Sequence, residues 1–197
     1  MAFGFGFTWI CGIGRYWDHP NAHLWQYLGL GSVAYIFILA FILWLVILPL
    51  KPHNWSYKNV LLFVSLTAPP AILYAIPVER FMPLESAQLA NVWFLAVVAL
   101  WRVALLFRYL KSAAGLTGLC VVAATLLPLT LIVTALAALN LEHVVFKLMA
   151  GLEEHEKSAN DGAYLALVFI TYFSVMASPV ILAVYGWFVY KRGKNAI

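Results

Sequence analysis

Imidazole and carboxylate side chains stand side by side at three places in this chain: Asp18-His19, with His23 close behind, Glu142-His143, and Glu154-His155. Glu79 adds a further carboxylate in a separate loop. Brought together, such groups would hold Zn²⁺ or another transition metal, because imidazole nitrogen and carboxylate oxygen are ordinary ligands for these ions. Asp18, His19, His23 and His143 are therefore the candidate metal ligands, with Glu79 and Glu142 as candidate ligand or partner groups. Their spacing is not that of a ready-made site. His19 and His23 stand four apart, but Pro20 between them lets a helix only begin there. No HExxH pattern occurs. Histidines at a membrane surface are more commonly solvated or hydrogen-bonded, and the sequence specifies no cofactor.

Two polar side chains interrupt the apolar run 91–107, namely Asn91 and Arg102. They are eleven residues apart, so about three helical turns return them to one face, on a line with Gln88. Asn91 is expected to hydrogen-bond another helix. Arg102 has two readings. In one it is the counter-charge for an anionic ligand, such as a lipid phosphate or a substrate carboxylate. In the other, which is preferred, it snorkels towards Arg108, about 9 Å along the helix.

Other chemistries are disfavoured. No histidine lies inside an apolar run, which argues against a bis-His haem at mid-membrane. No carboxylate lies at mid-depth, which argues against a proton relay or a carboxylate Na⁺ site. Walker A, GxSxG and EF-hand patterns are missing from the sequence.

The elements that position these groups follow from composition. Of 197 residues, 64% are hydrophobic and only 10% charged. An ordinary soluble domain is about 25% charged, so this chain cannot cover a water-facing surface. The expected fold is an all-α polytopic membrane helix bundle forming a single integral membrane domain. Five transmembrane helices are expected near 32–50, 60–76, 91–107, 116–139 and 163–190. Pro69-Pro70, Pro128 and Pro179 fall within three of them. Each frees backbone carbonyls that need partners, as in helices lining a binding site, although kinked packing alone is the commoner outcome.

Residues 1–30 precede the first span. Gly4, Gly6, Gly12 and Gly14 alternate there with Phe3, Phe5, Phe7, Trp9 and Ile13. That is too short and glycine-rich to span. It is expected as an aromatic N-terminal interfacial segment, a filler of a groove between helices, or a contact for a partner. Residues 141–152 read as an amphipathic outer-face helix. Leu141, Val144, Val145, Leu148 and Leu152 form its apolar face. Cys11 and Cys120 fall at opposite ends of the bundle and should not pair.

Short-loop Lys and Arg set the orientation. Lys51, Lys58, Arg108, Lys111 and the tail Lys191, Arg192 and Lys194 fall on one side of a five-span bundle, and all eight acidic residues on the other. The N-terminus is then outside and the C-terminus cytoplasmic, in what is expected to be a bacterial cytoplasmic membrane. The basic residues form no stripe interleaved with exposed aromatics, so nucleic acid is not an expected partner. The expected partners are the lipid bilayer and other membrane proteins. The expected function is a non-catalytic subunit or assembly factor of a larger membrane complex. The alternative is a small membrane enzyme or transporter using the outward-facing His/carboxylate groups.

Overall fold

The computed structural model describes residues 2–14, 23–139 and 161–194. Every regular element among them is helical. The α-helices are α1 (Ala2–Gly14), the single turn α2 (Leu24–Tyr27), α3 (Leu30–Ile47), α4 (Tyr57–Leu66), α5 (Leu84–Ser112), α6 (Leu119–Ala138) and α7 (Asp161–Lys194). Short 3₁₀ segments lie at Leu48–Leu50, Pro69–Ala75 and Val78–Arg80. The expected amphipathic helix at 141–152 lies outside the described residues.

Among the described residues, three helices are long and apolar enough to cross a membrane: Leu30–Leu50, Leu89–Ser112 and Phe169–Lys194. The apolar stretches Ala2–Gly14, Tyr57–Leu73 and Leu119–Ala135 are shorter. The expected single span at 60–76 is broken in two. Ser56 starts α4 as its N-cap, its hydroxyl accepting from the Asn59 N–H at 3.2 Å. The α-helix then stops at Leu66, and the chain continues as the 3₁₀ segment Pro69–Ala75. Pro69 and Pro70 carry no N–H, so the carbonyls of Ser65 and Leu66 lose the donors an α-helix would supply. The Ala71 N–H bonds Ala68 O at 2.8 Å, which closes the tighter turn.

The core is a seam along α3. Ile36, Ala40, Leu43, Ile47 and Leu50 repeat at alternating steps of four and three, which places them on one face. They meet Val60, Leu61 and Val64 of α4, Leu106 and Leu110 of α5, and Leu116, Cys120, Val121 and Ala124 at the start of α6. The cluster is concentrated towards the Leu50 end of the bundle. Three connections distant in sequence are tied there. The His53 N–H donates to Ala114 O at 3.0 Å, the Arg192 Nη1 to Leu50 O at 2.8 Å, and the Tyr185 hydroxyl to Val46 O.

Helix α1 packs one face between α3, α4 and the 3₁₀ segment Pro69–Ala75, and leaves Phe3, Trp9 and Ile10 exposed on the other. Its buried residues are Gly4, Thr8, Cys11 and Gly12, a stripe at steps of about four. A Cβ added at Gly4 would come within 2.6 Å of Ser65 Oγ, and one at Gly12 within 2.6 Å of Ser32 Oγ. Only glycine permits so close a backbone approach, as in small-residue interfaces between membrane helices. The Trp9 indole N–H donates to Leu28 O at 2.7 Å, and the Phe5 ring lies 5.4 Å from Phe37. Of the three placements expected for this stretch, the helix adopts the groove. Cys11 and Cys120 are both free and buried.

Helix α7 uses one face. Thr171, Ser174, Ser178, Ile181 and Tyr185 lie on the covered side of the helix, which packs chiefly against α6. Small hydroxyl residues on that face let the two helices approach closely.

Candidate functional site: the Arg102–Tyr35 contact

Arg102 lies on α5, ten residues before its end at Ser112. Side chains on an α-helix tilt towards the helix N-terminus. That tilt carries the Arg102 guanidinium away from Arg108 and onto Tyr35 of α3. Nη1 donates to the Tyr35 hydroxyl at 3.3 Å, and Cζ lies 5.5 Å from the centre of the Tyr35 ring. Tyr35 is five residues from Leu30, roughly 8 Å along the helix, and fifteen from Leu50, roughly 22 Å. The guanidinium therefore meets α3 nearer its Leu30 end than its Leu50 end. The described contact of Arg102 is thus with Tyr35, where the sequence led to an expected snorkelling towards Arg108. Cys11 of α1 lies within electrostatic reach of the same charge.

The contact leaves the guanidinium incompletely satisfied. Arg102 Nε is shielded from solvent and has no hydrogen-bond partner. An arginine at the centre of a membrane helix costs about 2.5–3.5 kcal/mol on insertion scales. A cation–π contact returns about 0.5–2 kcal/mol, depending on how far it is desolvated. A 3.3 Å bond is long beside the 2.7–2.9 Å typical of charged N–H donors to ionised acceptors. The unmet Nε–H costs about 1–3 kcal/mol on its own. Thr134 Oγ1 on α6 is likewise buried without a hydrogen-bond partner.

Two other sequence candidates, Asn91 and His23, are described. Asn91 shares α5 with Arg102, but eleven residues separate the two by about 16 Å along the axis. It is half-buried and engaged in an interaction. His23 is exposed just before α2 and is also engaged. Glu79 belongs to the 3₁₀ segment Val78–Arg80, which packs against α5, and its side chain is not among those described. Asp18, His19, Glu142 and His143 lie outside the described residues. Among the described residues, no three His, Cys, Asp or Glu side chains gather as a metal site.

Tyr35 is the residue of this candidate site that sequence reasoning missed. Its phenol is a polar tip within a strongly apolar run, which is the only local signal it offers. Its partner is 67 residues away in the chain, so nothing in the sequence pairs them. No family model, curated protein or solved structure matches this chain.

Proposed function

We propose that this chain is a non-catalytic integral membrane subunit, or an assembly factor, of a larger membrane complex. The observation that carries the reading is the uncovered face of α7. Phe169, Tyr172, Phe173 and Met176 are 71–77% exposed and follow one another at i, i+3, i+4 and i+7. Val180 and Trp187 extend the same stripe at 65% and 64% exposure. It lies opposite the face that packs on α6. Aromatic residues and methionine are enriched in protein interfaces, and this spacing is how one helix anchors on another. Only 6% of the α7 apolar window is buried, against 28% for Leu30–Leu50, so α7 has most of its surface left for neighbours. The occupant of the stripe is then an apolar helix of another membrane protein.

The reading includes five crossings, with the broken element 57–75 and α6 completing the three long helices. The Lys51, Lys111 and Arg192 end faces the cytoplasm and the Leu30 end faces outward, in a bacterial cytoplasmic membrane. The test is purification of the tagged protein in gentle detergent, followed by native mass spectrometry and metal analysis. A membrane protein partner at fixed stoichiometry is expected. It should be lost when Phe173 and Met176 are both changed to Ala, while the melting profile of the chain is kept. A lone chain holding one equivalent of metal, released by His19→Ala or His143→Ala, would overturn the reading in favour of an outward-facing metal site.

A further inference from the structure

We infer that Arg102, braced by Tyr35, is the recognition element for an anionic oxygen group, a carboxylate or a phosphate, bound at the exposed Tyr35 side of the contact between α3 and α5. A guanidinium carries five N–H donors and no acceptor. One Nη1 hydrogen is used by the Tyr35 hydroxyl. The opposite edge, formed by Nε and Nη2, presents two parallel N–H groups. Their spacing matches the two oxygens of a carboxylate or phosphate, which is why arginine grips such groups bidentately. Nε, half of that edge, is the atom without a partner.

Three further features favour an anion over a neutral acceptor. The charge sits on a helix apolar enough to cross a membrane, where low polarity strengthens its attraction to an opposite charge. The Tyr35 ring centre lies 5.5 Å from Cζ, a contact that narrows the positions the side chain can take before binding. The Tyr35 hydroxyl accepts from Nη1, which leaves its own proton available for the same ligand. Access lies on the Tyr35 side, since Tyr35 is 44% and the adjoining Trp101 46% exposed. Nε itself is covered, so a ligand gripping this edge requires the side chain to shift. An acidic lipid headgroup and a soluble anion offer the same chemistry. The inference requires α5 to lie in a membrane and requires no partner protein.

The test uses the purified full chain in phosphatidylcholine nanodiscs, with intrinsic tryptophan emission and the melting temperature as the readouts. Three probes are compared: inorganic phosphate, octanoate, and replacement of one fifth of the lipid by phosphatidylglycerol. At least one should shift the emission and raise the melting temperature. A response to phosphatidylglycerol alone identifies a lipid headgroup, and a response to phosphate or octanoate identifies a soluble anion. Arg102→Gln should weaken the response about tenfold or more, the scale on which one charged contact acts. Arg102→Lys keeps the charge without the planar fork and should fall close to Arg102→Gln. Tyr35→Phe keeps the ring and should weaken binding about threefold, as expected for one neutral hydrogen bond. Because Arg102→Lys and Tyr35→Phe are mild changes, they carry the test if Arg102→Gln fails to fold. Equal responses in wild type and Arg102→Lys, or no response of wild type to any probe, would overturn the inference. Since the readout is on the isolated chain, this outcome is independent of whether a partner binds α7.

Discussion

Single glycines set how closely α1 approaches its neighbours. At Gly12 an added Cβ meets Ser32 Oγ at 2.6 Å and Gly29 Cα at 3.2 Å, so a larger side chain must push the helix out. Gly12→Leu is expected to destabilise the bundle by about 1–3 kcal/mol, the usual cost of overpacking. Gly6 is the matched control, since nothing lies within 4 Å of its added Cβ. Gly6→Ala should leave stability unchanged or raise it by about 0.4–1 kcal/mol, because alanine restricts the unfolded chain. Thermal melts in one detergent compare the two, and equal destabilisation by both would argue against the groove placement of α1. The glycines themselves were evident in the sequence, as was their alternation with aromatics. Their partners were not, because Ser32 and Ser65 lie tens of residues away and only the packing of α3 and α4 presents them. The same is true of Arg102. Its charge was plain in an apolar run, whereas the direction of its side chain depended on finding Tyr35.

At the scale of elements, the decisive feature is the break after α4. Restoring donors with Pro69→Ala and Pro70→Ala should let the α-helix continue past Leu66, since the carbonyls of Ser65 and Leu66 regain N–H partners. A continued helix would no longer present Pro69–Ala75 to α1, which packs extensively on that segment. The double variant should therefore show higher helicity by circular dichroism and faster amide exchange across Gly4–Gly12. Slower exchange there would mean that the 3₁₀ segment is not what holds α1. The prolines announced a disturbance in 60–76, but not its form. A proline kinks a helix when neighbours supply substitute donors and ends it when they do not, and that supply is a property of the surrounding packing. Serine at the N-cap makes a simpler case. Ser56→Ala should cost about 1 kcal/mol by removing the acceptor for Asn59 N–H.

At the scale of the whole molecule, the distribution of charge makes the testable statement. The His53–Ala114 and Arg192–Leu50 bonds draw three basic connections to one end of the bundle, while Met82 lies beyond the opposite end of α5. With the native cysteines replaced, Met82→Cys should react with an impermeant maleimide applied outside intact cells, and Asn54→Cys should not. The reverse pattern would invert the proposed orientation. Composition and the spacing of apolar residues determined by themselves that the chain is helical and has helices suited to a membrane. These follow from local rules: a run of apolar residues either reaches across a hydrocarbon layer or does not. The tertiary structure alone decided that α1 fills a groove, that the second apolar run divides, and that Arg102 turns towards Tyr35. Each of these depends on contacts between segments far apart in the chain, whose pairing no local periodicity encodes.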